Sequence, residues 1–187
     1  SFDTPVFDTT GYVSALVGFT RSKTVEEYLE FSKGLVGNML YAAVSDQSGS
    51  VAFASYQAVP CRTYLPRDDN GHFMPGADPT MLIDGTQYHG FTMPSLPDGK
   101  VDESQGEEDP YRCVVPFDAN PQVVDPAQGY VVNANNQPAP WQDDGRIDDD
   151  PWYLGGPWSS VRADSIDSQV ALAIEEGRPH RCGLEFS

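Results

Sequence analysis

The chain has 187 residues, 39% of them hydrophobic, and a formal net charge of -17 from 28 acidic against 11 basic side chains. This length fits one domain, or a large piece of one, with enough apolar content to bury a core. So acidic a surface repels phosphate backbones and anionic lipid, which argues against nucleic-acid and membrane-surface partners. No stretch approaches the roughly 20 apolar residues of a membrane span. The opening "SFDTPVFDTT" has neither the basic start nor the apolar run of a signal peptide. The chain is then either cytosolic or already freed of its targeting segment.

In chain order, "GYVSALVGF" (11–19) reads as a strand through a buried layer. "SKTVEEYLEFSKGL" follows with a capping box, Thr24 and then Glu27 three residues later. Val25, Tyr28, Leu29 and Leu35 recur at helical spacing, which predicts a helix of about three turns that Gly34 and Gly37 can end. Residues 38–59 read as a hairpin around "SDQSGS", with Val51, Phe53 and Ser55 sharing a face of the return strand. Its many alanines suit a sheet covered closely by another layer.

Residues 60–112 are dense in Pro, Gly and Asp without a sustained period. This composition predicts a long loop or insertion lying over a larger body, with "DGKVDESQGEEDP" as a mobile part. A strand at Tyr130–Val132 leads into "NANN", and a second acidic loop, "APWQDDGRIDDDPWYLGGPW", comes next. In the last helix Ile166, Val170 and Ile174 repeat at i, i+4 and i+8, and Gly177 can cap it. The fold class expected from these pieces is α+β.

Local chemistry is sparse. His72, His89 and His180 are paired with no nucleophile motif and with no second histidine at ligand spacing. Cys61, Cys113 and Cys182 form no C-x-x-C pair and allow at most one internal disulfide. "DDGRIDDD" (143–150) offers oxygens to a calcium ion without EF-hand spacing, and a solvated acidic loop is the simpler reading of its charge. The amides of Asn133, Asn135 and Asn136 either cap a turn or aim an N–H at a developing oxyanion.

A longer pattern bears on that choice. "PFDANPQVVDPAQGYVVNANNQP" (116–138) resembles the signature segment of the penicillin amidase (penicillin acylase) family. "NMLYAAVSDQSGSVAFASYQAVPCR", "ADPTMLIDGT" and "WYLGGPWSSVRADSI" are similar to further family segments in the family's order. The resemblance implies an N-terminal-nucleophile hydrolase with an αββα sandwich, mixed or antiparallel in its sheets. In such an enzyme a terminal Ser, Thr or Cys attacks an amide, its own α-amino group acts as base through a water, and an acyl-enzyme forms.

Residue by residue, Asn135 matches the family's oxyanion-hole asparagine, with Asn133 and Asn136 fixing the loop around it. Arg162 matches its active-site arginine. Asp150 and the carbonyl of Pro79 match ligands of its structural calcium, and no organic cofactor is implied. The chain, residues 1–187, is expected to be a central piece of the large chain, contributing the oxyanion hole and not the nucleophile. Its partners would be the small chain, the nucleophile-bearing segment and a small acyl amide, in a periplasmic or secreted setting. Two other readings stand beside this one: a non-enzymatic acidic module that binds calcium or a partner, and a minimal amidase with Ser1 as nucleophile.

Overall fold

The computed structural model describes residues 11–37, 40–79, 81–138 and 160–177. Helix and a small antiparallel sheet mix in an α+β arrangement. Helices α1 (Tyr12–Phe19) and α2 (Val25–Ser32) precede a hairpin of β1 (Leu40–Ser45) and β2 (Val51–Tyr56). After the long irregular segment come a single turn of helix, α3 (Gln105–Glu108), the short strand β3 (Gln122–Val124) and α4 (Val161–Glu175).

Residues 12–19 are helical rather than extended, contrary to the strand expected there. Small residues explain the outcome. Ala15 and Gly18 face inward, whereas Val13 and Leu16 are exposed. A Cβ on Gly18 would lie 2.1 Å from Cδ1 of Phe31 on α2, and one on Gly11 would lie 2.8 Å from the carbonyl oxygens of both Gly34 and Gly99. The helix thus packs through a seam of Gly11, Ala15 and Gly18, on which α2 sits close, and Phe19 stacks on Tyr28 at 4.3 Å.

At α2 the Thr24 side chain accepts the Glu27 N–H at 3.2 Å, and Glu27 Oε2 accepts the Lys23 N–H at 2.7 Å. This is a reciprocal cap displaced by one residue from the usual box. The helix ends at Ser32, earlier than expected, which frees Leu35 to enter the core with Ala15, Tyr56 and Phe117.

The hairpin pairs Leu40 with Tyr56 through to Ser45 with Val51, closing over Gly49 at φ 94°. Ala52 and Ala54 are buried, so the alanine-rich strand is covered closely. The sheet order is β1-β2-β3. Its third strand is Gln122–Val124, not Tyr130–Val132, which is irregular. Asp125 locks the end of β3: it takes the Val51 N–H at 2.9 Å and the Ser50 hydroxyl at 3.1 Å.

Residues 60–112 carry little regular structure, but they are tied down at their ends and along their length. Pro60 bridges Val114, Cys61 and Cys113 form a disulfide, and Val115 donates to the Val59 carbonyl at 2.8 Å. Val101, within the stretch expected to be a mobile insertion, joins Val36, Ala58 and Val114 in a second apolar cluster. Between these anchors the chain turns on its own aspartates. Asp68, Asp84 and Asp102 each accept a backbone N–H two residues on, which satisfies groups that no ladder reaches.

Candidate active site

The segment 129–138 runs from a turn in which Gly129, at φ 78°, donates to the Pro126 carbonyl at 2.7 Å. Its amides then hydrogen-bond one another. Asn133 Oδ1 accepts the Asn135 N–H at 3.1 Å, Asn136 Oδ1 accepts the Ala134 N–H at 3.1 Å, and Asn136 Nδ2 donates to the Gln137 carbonyl at 2.9 Å. Asn133 Nδ2 reaches outside the loop, to the Tyr41 carbonyl on β1. Asn135 sits at φ 57°, a left-handed conformation that asparagine tolerates better than most residues. The local reading of these amides as turn formers and the reading of one as a donor are therefore compatible.

Arg162 comes from the first turn of α4, where Ala163 is buried and pins the helix start. Its Nη2 donates to Asn135 Oδ1 at 3.0 Å and also to the Ala134 carbonyl. A guanidinium has donors only, so the Asn135 atom facing it must be the carbonyl oxygen. The amide orientation follows: Nδ2, with its two N–H bonds, points elsewhere and makes no hydrogen bond among the described residues. Five residues further along α4, the Asp167 carboxylate acts on the Tyr130 phenol. Desolvation and that carboxylate together hold the phenol above its usual pKa.

The two residues singled out as catalytic, Asn135 and Arg162, are in direct contact across 27 positions of sequence. Of the two calcium candidates, Pro79 is half-buried and Asp150 lies outside the described residues, as do Ser1, His180 and Cys182. Among the described residues no three of His, Cys, Asp and Glu gather to hold a metal ion. The link from Asn133 to Tyr41 was not foreseen in residue terms, because its acceptor is a main-chain carbonyl and leaves no mark on the sequence.

Hollows among the described residues include one away from the asparagine loop and one beside Arg162. A cleft of about 830 Å³ is lined by Phe19, Lys23, Tyr28 and Asp46, with no wall from the asparagine loop. A shallow, mostly apolar groove of about 440 Å³ starts at Arg162 and follows Ile166, Val170 and Ala173 along α4. No described helix is long and apolar enough to cross a membrane.

The model of the penicillin amidase family matches residues 3–181. The chain belongs to the penicillin amidase family. Membership sets the reaction class as amide hydrolysis, within a family of multi-part processed enzymes. No curated protein and no solved structure matches the chain.

Proposed function

We propose that this penicillin amidase segment supplies the oxyanion donor for hydrolysis of a linear acyl amide through an acyl-enzyme, with the nucleophile contributed by another segment. The observation that carries the reading is the Arg162 contact to Asn135 Oδ1, which leaves the amide Nδ2 as a fixed, neutral donor. Such a donor stabilises charge without entering proton transfer.

In the reaction, a nucleophile oxygen or sulfur bonds to the amide carbon and gives its proton to an α-amino group through water. The C=O electron pair moves onto oxygen, where the Asn135 Nδ2–H binds it. Collapse re-forms the carbonyl and expels the amine, which takes that proton; water then repeats the sequence on the acyl-enzyme. Arg162, with no proton to give, holds the amide plane throughout.

The remaining parts of the amidase would complete the αββα sandwich around this segment and cover its α4 groove. Exposed Ile166, Leu172 and Ile174 support that expectation, since a helix seldom leaves so many large apolar groups in water. A structural calcium held by Asp150 and the Pro79 carbonyl belongs to the same reading, and calorimetric titration of the whole amidase tests it. The Cys61–Cys113 disulfide suits a periplasmic or secreted setting.

The test is Asn135→Ala in the amidase that carries this segment, assayed on a panel of chromogenic aryl- and fatty-acyl amides. The expected result is a loss of about 10²–10³ in kcat with assembly unchanged. Normal turnover would remove Asn135 from the mechanism.

A further inference from the structure

We propose that Asn133 is a positioning residue for this reaction, setting where the Asn135 donor stands by coupling its backbone to the sheet. The inference rests on the reading of Asn135 as the oxyanion donor and adds a residue to it. A single planar amide makes both connections. Nδ2 donates to the Tyr41 carbonyl on β1, and Oδ1 takes the Asn135 N–H at 3.1 Å. With both ends bonded, the Asn133 side chain has no free rotation left, and the donor's main chain inherits the position of the hairpin.

Asn135 is then held at two points from two different elements. Its N–H is fixed through Asn133 to β1, and its side-chain carbonyl through Arg162 to α4. Together these define the direction of Nδ2. Neither bond alone does, because a residue at φ 57° held only by its side chain could still swing its backbone. Asn136 differs in kind: both of its bonds, to the Ala134 N–H and the Gln137 carbonyl, stay within the loop. They shape the turn without attaching it to the sheet.

Donor placement matters because stabilisation is made only where the oxyanion forms, and a shift of about 1 Å costs on the order of 10²-fold. In the amidase that carries this segment, Asn133→Ala should lower kcat by about 10- to 100-fold on the best amide of the chromogenic panel. KM should stay within about threefold, since ground-state binding does not use the oxyanion donor. Asn133→Asp keeps the volume and the acceptor for the Asn135 N–H but puts an oxygen against the Tyr41 carbonyl. It should lose kcat similarly, and it carries the test if the alanine variant does not assemble.

The deciding measurement is the pair in combination. A residue acting through Asn135 should cost less than about twofold more once Asn135 is already alanine. An equal loss from Asn133→Ala or Asn133→Asp in both backgrounds would mean a general structural role and would overturn the proposal. So would wild-type kcat in the Asn133 variants beside a large loss in Asn135→Ala, an outcome that leaves the donor assignment standing. Wild-type kcat in Asn135→Ala itself removes both.

Discussion

Breaking the Cys61–Cys113 bridge should destabilise the protein through its unfolded state. The two cysteines are 52 residues apart, and the chain between them is the Pro-, Gly- and Asp-rich stretch with little regular structure. Cross-linking the ends of such a loop removes closure entropy from the denatured ensemble, about 14 cal/mol/K for a loop of this length. That corresponds to about 4 kcal/mol at 25 °C. The native side changes less, because Cys61 still donates to the Cys113 carbonyl at 3.0 Å and Val115 to Val59 at 2.8 Å. These short bonds remain after Cys61→Ser/Cys113→Ser but no longer constrain the unfolded chain. With a urea dependence of about 2 kcal/mol/M, the midpoint should fall by about 2 M. Equilibrium urea unfolding of the oxidised protein against the double serine variant reads this directly. An unchanged midpoint, or ready alkylation of both thiols in the native oxidised protein, would refute the reasoning.

Acid should loosen the aspartate turns of the hairpin and of the long segment. The carboxyls of Asp46, Asp84 and Asp102 are held below the ordinary range chiefly by the hydroxyls of Ser48, Thr86 and Ser104, and that of Asp68 by the His72 N–H. Depressed folded values mean stability that is complete above the unfolded pKa of about 3.9 and lost as pH falls through the folded values. Melting temperature should therefore fall below about pH 4, and a flat profile there would count against these turns. At the alkaline end, burial raises Tyr56 strongly and pushes Tyr41 up to about 12. Raised values give stability that is complete below about pH 10 and lost as pH climbs through the folded pKa, so the part of the tyrosinate absorbance that belongs to Tyr41 and Tyr56, read as the difference from their phenylalanine variants, should appear together with unfolding rather than before it. Gly106→Ala should cost about 1–3 kcal/mol by overpacking, because its Cβ would stand 2.9 Å from the Cys113 Cα. Differential scanning calorimetry checks this, and an unchanged melting temperature would show that α3 shifts freely.

Much of the local structure was readable from side chains alone. Thr24 and Glu27 announced the start of α2, "SDQSGS" announced the hairpin turn, and Gly177, at φ 62°, closes α4 as its position suggested. Each is a short-range effect, settled by a hydrogen bond or backbone preference within a few residues. The family resemblance, carried by ordered motifs, named Asn135 and Arg162 without showing how they meet. The helix at 12–19 is not legible in the sequence, because a nine-residue apolar run has no decisive period. The informative spacing was that of the small residues at 11, 15 and 18, which means little until Phe31 and Gly34 lie against them. The strand at Tyr130–Val132 failed for a related reason. Its link to β1 is the Asn133 side chain rather than a backbone ladder, and apolar patterning does not distinguish the two.

By itself, then, the sequence determined the class of the chain, its caps and turns, its acidity and its place in the amidase family. Those properties live in neighbouring residues or in motif order. Tertiary structure alone decided that Cys61 pairs with Cys113, that α1 is a helix, and that Arg162 turns the Asn135 amide so that its N–H bonds are free to donate. Each of these joins groups that are distant along the chain. Their meeting depends on how the hairpin, the long loop and α4 pack, and no local preference encodes that.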